Sequence, residues 1–254
     1  MLVPRTLRRD HEGRASARRA ESVFCYRFHS VSTDFDRFKP VGENPEVVAV
    51  SFDLFGTLVD ADLPEDPASA IAEELRARDV AVPDDWAAAY RETHVDTPEG
   101  AVVPLMAHVS AALASRGVAA PVNAPRRAVV AAFDPAVETR EGARSAVRAA
   151  SERGPVAVCS NCAVPQLARK TLIRSQLDRE EFDAIVTGVA CGWAKPDPRA
   201  FETCADRLGV SVEALAHVGD DPATDGGIED CGGEAVLLGD VSLAEVPARL
   251  AGRG

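Results

Sequence analysis

The chain has 254 residues, 46% of them apolar, with 28 Lys and Arg against 40 Asp and Glu and a formal net charge of −12. No apolar run approaches the ~20 residues needed to cross a bilayer, and the recurring short blocks of Val, Leu, Ile and Ala exclude a globally disordered chain. So acidic a balance excludes broad nucleic-acid binding, which needs a positive face, and the length suits one full domain with an insert or two small domains.

The charge is uneven along the chain. Residues 1–46 hold nine Lys and Arg and seven Asp and Glu, a net +2 that leaves −14 for the remainder. Arg5, Arg8, Arg9, Arg14, Arg18 and Arg19 crowd the start without the apolar core of a secretory signal. This segment reads as a disordered basic tail or a start-site extension, outside the fold. The chain has only three lysines, Lys39, Lys170 and Lys195. An acidic, lysine-poor, alanine-rich composition fits a salt-rich, halophilic cytoplasm and equally a GC-rich genome. The six cysteines (25, 159, 162, 191, 204 and 231), with no export signal, read as reduced thiols of a cytoplasmic protein. Cys159-x-x-Cys162 has no second pair at a ligand spacing, so it reads as packing rather than a zinc or redox site.

From residue 47 the pattern becomes regular. Val47–Phe52 is the first predicted strand, and Val156–Cys159, Ala184–Thr187, Ala216–Gly219 and Ala235–Leu238 follow. Unbroken apolar runs mark strands buried on both faces, as in a parallel sheet covered by helices. Between the first two strands lie about a hundred residues of helical character with no clear strand. Asp66-Pro67 opens one helix through Ile71 and Leu75, and Asp84-Asp85 opens a second through Trp86 and Tyr90. Leu105–Leu113 and Arg126–Phe133 supply a third and a fourth. Further on, Glu141–Arg153 reads as a helix stopped by Gly154-Pro155. Asp197-Pro198 starts another, with Phe201, Cys204, Ala205 and Leu208 as its stripe and Gly209 as its end. The expected fold is therefore α/β, a Rossmann-like doubly wound parallel sheet with a small all-helical subdomain. The sheet takes residues 47–60 and 136–254, and the helical insert takes 61–135.

In such sheets ligands bind beyond the carboxyl ends of the strands. Asp53-Leu54-Phe55-Gly56-Thr57 follows the first strand, and Ser160-Asn161 the second. Lys195-Pro196 comes a loop after the third. Gly219-Asp220-Asp221 follows the fourth, with Asp225 four residues on. Carboxylates gathered in this way repel one another unless a cation neutralises them, and an all-oxygen donor set favours Mg²⁺. An Asp nucleophile with Mg²⁺, a hydroxyl and a Lys suits phosphoryl transfer. Two-component receivers use the same set, but in about 120 residues and with the acidic pair first. Gly226-Gly227 and Gly232-Gly233 lack the spacing of a dinucleotide fingerprint and read as close helix–sheet approaches. Trp193 reads as a packing or loop anchor.

The segments Ser51-Phe-Asp-Leu-Phe-Gly-Thr-Leu-Val-Asp60, Val158-Cys-Ser-Asn161, Gly192-Trp-Ala-Lys-Pro-Asp-Pro198 and His217-Val-Gly-Asp-Asp-Pro-Ala-Thr-Asp225 carry a resemblance in order and spacing. Over about 47–254 the chain resembles the haloacid dehalogenase-like hydrolase superfamily, with a helical cap after the first motif. The resemblance implies that Asp53 is the nucleophile and a Mg²⁺ ligand, with the backbone carbonyl of Phe55 as a second ligand. Ser160 and Asn161 would bind the transferring group, and Lys195 would hold the charges of Asp53 and the phosphoryl group together. Asp220 and Asp225 would bind the metal, with Asp221 completing or supporting the shell. The cap would exclude water and select a small-molecule substrate, a phosphate ester or a haloacid. Oligomeric state is left undefined.

One departure stands out. Phosphatases of the superfamily usually carry a second Asp, a general acid, where this chain has Phe55. The dehalogenase branch carries an aromatic residue there, but it tends to replace the acidic fourth motif that this chain keeps. The expectation is a Mg²⁺-dependent phosphatase acting on a substrate with a good leaving group or with an acid from the cap. The alternatives are a metal-free 2-haloacid dehalogenase and a weakly catalytic regulatory protein. Tyr90, Arg91, His94 and His108 are the cap candidates, Arg91 also as the cation for a haloacid carboxylate.

Overall fold

The computed structural model describes residues 49–251, so the basic segment 1–46 lies outside the described residues. The first half runs β1 (Ala49–Phe52), β2 (Val59–Ala61), α1 (Pro67–Arg76), α2 (Trp86–Arg91), α3 (Leu105–Ser115), α4 (Ala124–Ala132) and β3 (Val137–Thr139). The second half runs α5 (Ala143–Ser151), β4 (Val156–Ser160), α6 (Leu167–Arg174), β5 (Ala184–Thr187), α7 (Gly188–Cys191), α8 (Pro198–Leu208), β6 (Leu215–Gly219), β7 (Glu234–Leu237) and α9 (Val246–Ala251). No helix among the described residues is long and apolar enough to cross a membrane.

All five expected strands form one parallel sheet in the order β5-β4-β1-β6-β7. β1 is central because it is buried on both faces along its whole length. Successive side chains point to opposite faces. Val50, Phe52, Val156, Val158, Ala216 and Val218 therefore pack with α5 and α9 residues such as Val147 and Leu250. Ala49, Ala157, Cys159 and Leu215 pack with Phe201, Cys204 and Leu208 of α8. The architecture is a Rossmann-like three-layer sandwich. The chain leaves β1 for β4 on one side and later returns to β6 on the other, so the topological switch falls at the end of β1.

Helices α1 to α4 pack around a second core of Ile71, Leu75, Trp86, Val109, Leu113 and Val129, which Cys162, Val164 and Leu167 from the segment after β4 also join. α1 begins as its sequence implies: Pro67 holds the first helical position, and the Asp66 carboxylate accepts from Ser69 N–H at 3.1 Å. Trp86 is buried because its indole N–H donates to Ala68 O at 2.8 Å, tying α2 to α1.

The insert corrects the sequence reading in one respect. Its two connections, read as strand-free, are the antiparallel strands β2 and β3, with Asp60 opposite Glu138. Three residues each are too short to show a period of two, and their pairing is created by the chain leaving and returning at one place. The segment before α3 also reaches back: Val102 N–H donates to Gly192 O at 2.8 Å, and Ala194 N–H to Gly100 O at 2.9 Å. These bonds fasten the insert to the loop that carries Lys195.

Candidate active site

Asp53 is the first residue past β1, and its N–H still donates to Val218 O of β6 at 2.8 Å, so the sheet fixes its Cα. Alternation places Ser51 and Asp53 on the α8 side, opposite Phe52. His217 pairs with Ser51 across β1 and β6 and shares that side, its ring edge-on to Phe201 with centroids 5.3 Å apart. Lys195 reaches the same point from the loop after α7. Its ammonium donates to Asp53 Oδ1 at 2.9 Å and to Asp225 Oδ1 at 2.6 Å, and lies 3.2 Å from His217 Nε2.

The Asn161 side-chain amide is engaged with the Lys195 backbone. Its Oδ1 accepts from Lys195 N–H at 2.6 Å and its Nδ2 donates to Lys195 O at 2.8 Å. This two-point grip fixes the backbone from which the lysine extends. Asp225, expected at the metal, spends one oxygen on Lys195 and on His217 Nε2, the latter at 3.0 Å, and the other on Asp221 N–H at 3.0 Å. Ser51 Oγ lies 2.8 Å from His217 Nδ1. We assign the imidazole proton to Nε2, donated to Asp225, with Nδ1 accepting from the Ser51 hydroxyl. The other tautomer would set a lone pair against the carboxylate.

The electrostatics follow from one cation serving two buried carboxylates. Burial and the neighbouring Lys195 charge lower His217 to about 4, which keeps the ring neutral at neutral pH. Burial works against the Asp225 carboxylate, but hydrogen bonds and charge from His217 and Lys195 outweigh it and hold the group well below its ordinary value. Burial likewise works against the Lys195 charge, yet Asp53 and Asp225 keep its affinity for the proton above the ordinary value. Asp53 has the weaker share. Burial raises it, and Lys195 only partly offsets the rise.

Asp220 stands at the mouth, solvent-exposed. Its Oδ1 accepts from Thr57 Oγ1 at 2.6 Å. Gly56 lies at φ +86°, and a Cβ there would fall 2.6 Å from Asp220 Oδ2, so the loop after β1 closes against this carboxylate only because the position has no side chain. Gly227 makes a similar approach to Pro196, where a Cβ would sit 2.4 Å from the proline Cβ.

Above these groups opens a cavity of about 540 Å³. Asp53, Ser160, Asn161, Lys195 and Asp225 line its floor, and Asp220, Asp221 and Thr224 its acidic rim. Phe55, Leu63, Leu105, Phe133, Cys162, Val164 and Leu167 line the rest. Phe55 packs against both the sheet core and the helical core, so the wall is built where the two meet. The four residues expected from the cap are not brought there. Arg91 is exposed. His94 Nε2 faces Ala89 O at 2.6 Å and His108 Nε2 faces Tyr90 O at 2.7 Å. Tyr90 packs between Trp86 and His108. His94 and His108 are thus engaged with backbone carbonyls within the insert.

Cys159 and Cys162 belong to different cores, and Cys162 Sγ donates to Val164 O at 3.3 Å. Trp193 lies under the Arg199 guanidinium, 3.2 Å from its ring centroid. Sequence reasoning missed Ser51, His217 and Thr57. The first two were visible as single polar residues inside strands otherwise buried and apolar.

A parallel sheet with a carboxylate at its switch point, a buried lysine against it and a helical insert above defines a class of α/β hydrolases. Residues 47–228, more than half of the chain, match the family described as haloacid dehalogenase-like hydrolase, and the chain belongs to that family. It is 36% identical over 81 residues to haloacid dehalogenase-like hydrolase domain-containing protein 3 of Bos taurus, 32% of this chain and 31% of that protein. The match thus spans about a third of that relative's length. The fold is similar to that of a 2-haloacid dehalogenase from Pseudomonas syringae pv. Tomato, at TM-score 0.52 and 16% identity over 82% of this chain and 100% of that one. It is also similar to that of a HAD family enzyme from Bacteroides thetaiotaomicron in complex with magnesium and inorganic phosphate. There the TM-score is 0.51 at 12% identity, over 75% of this chain and 93% of that one.

Proposed function

We propose that the chain is a Mg²⁺-dependent phosphatase acting through Asp53 on a small phosphorylated metabolite in the cytoplasm. The observation that carries this reading is the anchored Asp220 carboxylate at the mouth, held by Thr57 and fitted against Gly56. A haloacid would bring a carboxylate to that acidic rim, and among the described residues the cavity offers it no cation besides Lys195, already bound to Asp53 and Asp225. A haloacid dehalogenase is the second reading, favoured by the aromatic Phe55 alone.

Among the described residues no three His, Cys, Asp or Glu side chains converge as a metal-binding group. The donors left at the mouth are the Asp53 and Asp220 carboxylates, to which the family resemblance adds the Phe55 backbone carbonyl, and all are hard oxygens. That set fits Mg²⁺, which takes one or two carboxylates and keeps several waters. Asp225 then serves Lys195 instead of the metal. When bound, the metal would supply charge neutralisation to the phosphoryl oxygens.

The chain's own residues do the rest. The Asp53 oxygen not held by Lys195 attacks phosphorus, and Lys195 offsets charge on the nucleophile and the phosphoryl group. Asn161 and Asp225 keep Lys195 in place, and Ser160 lines the phosphoryl end. The helical insert covers the cavity as a cap and limits water. Inorganic phosphate release that requires Mg²⁺, stops with a chelator and is lost in Asp53→Asn is the expected result. Metal-independent halide release from 2-chloropropionate would replace this reading with the dehalogenase.

A further inference from the structure

The lining of the cavity also constrains what leaves. Any group expelled from phosphorus into this space meets Phe55, Leu105, Phe133 and Val164. Among the described residues that line the cavity it meets no cation besides Lys195, which is committed to Asp53 and Asp225. The cavity lining also holds, among the described residues, no imidazole, and no ammonium besides Lys195, to give it a proton. The Cys162 thiol donates to Val164 O, and burial raises its pKa. The imidazoles of His94 and His108 face backbone carbonyls inside the insert.

Resting on the phosphatase reading, we propose that the natural substrate is a phosphate with an uncharged, apolar body whose oxygen departs as a stabilised anion: an aryl or acyl phosphate. In the first step the Asp53 oxygen forms a bond to phosphorus. The bond from phosphorus to the leaving oxygen breaks, and its electron pair leaves on a phenolate or carboxylate that needs no proton. In the second step water attacks phosphorus and the bond from Asp53 to phosphorus breaks. Asp53 returns as a carboxylate, and both water protons leave on inorganic phosphate. An apolar body gains from burial against the wall, whereas an anionic body meets the acidic rim formed by Asp220 and Asp221.

The test compares phosphate release, with Mg²⁺ present, from phenyl, benzoyl, hexyl and glycerol phosphates. Phenyl or benzoyl phosphate is expected to exceed hexyl and glycerol phosphate in kcat/KM by at least ~100-fold, the range general acid catalysis would otherwise supply. The faster of the first two identifies phenolate or carboxylate as the natural leaving group. Phe55→Asp is expected to raise hexyl phosphate turnover by ~100-fold relative to phenyl phosphate. Independently of turnover, calorimetry is expected to show benzylphosphonate binding about tenfold or more tightly than methylphosphonate. Hexyl or glycerol phosphate within tenfold of phenyl phosphate, or equal affinities for the two phosphonates, would overturn the proposal and leave the phosphatase reading intact. Absence of phosphate release from all four substrates would instead overturn the phosphatase reading itself.

Discussion

The floor and the wall of one cavity are built on opposite terms. The floor is mostly charge held by geometry: Asp53, Lys195 and Asp225, with the neutral His217 ring bonded to Asp225 and the grip of Asn161 on the Lys195 backbone. The wall is apolar, drawn from the sheet loops and from the insert, with Phe55 packing against both cores. Charges taken out of water are costly unless every one has a partner, so the floor tolerates almost no substitution. A wall of side chains that make only dispersion contacts tolerates change and can diverge in shape. The difference teaches that the reaction type resides in the sheet and the choice of substrate in the meeting of sheet and insert.

The comparison breaks most visibly at Asp53. Asp53→Asn keeps the shape of the floor but removes the attacking oxygen, and steady-state kinetics are expected to show a loss of about 10⁴-fold or more. Lys195→Met comes next, with kcat/KM expected to fall by ~10²–10³-fold. Because burial already raises Asp53 and Lys195 is what opposes that rise, the acid limb of the pH profile is expected to move to higher pH in this variant. An unchanged limb would show that Lys195 does not set the ionisation of Asp53.

His217 sharpens the same contrast through stability. Its proton affinity is lowered in the fold to about 4 from the ordinary 6.5. The unfolded chain therefore binds the proton first, and stability is full above pH ~6.5 and lost as pH falls toward ~4. The loss expected is about 3 kcal/mol, read from chemical denaturation at stepped pH. His217→Gln is expected to flatten that dependence. The smallest effect belongs to the wall: Phe133→Leu, at a half-buried position, is expected to cost about 1 kcal/mol or less in stability. It should change substrate preference more than it changes the rate on any one substrate.

The same division explains what the amino-acid sequence disclosed. The five sheet strands were legible as apolar runs, fully buried in β1, β4 and β6 and partly buried in β5 and β7; Asp53 and Asp220 directly follow such runs, Ser160 closes one, and Lys195 comes a loop after another. β2 and β3 were not legible, since three residues carry no period and their pairing depends on where the insert leaves and returns. The cap candidates Tyr90, Arg91, His94 and His108 were chosen by residue type, which says nothing about the direction a helix face takes once Trp86 and Val109 are buried. The wall residues are ordinary Leu, Val and Phe, indistinguishable from core until the two cores are brought together. Spacing located Asn161, and the fold adds that its side-chain amide holds the Lys195 backbone.

The central claim is that Asp53 takes up a phosphoryl group expelled from an apolar leaving group. Rapid-quench mass spectrometry of the protein after mixing with Mg²⁺ and phenyl phosphate tests it most directly. The account predicts a transient phosphoryl adduct on the peptide containing Asp53, absent in Asp53→Asn. Phosphate release without that adduct, and undiminished in Asp53→Asn, would contradict it.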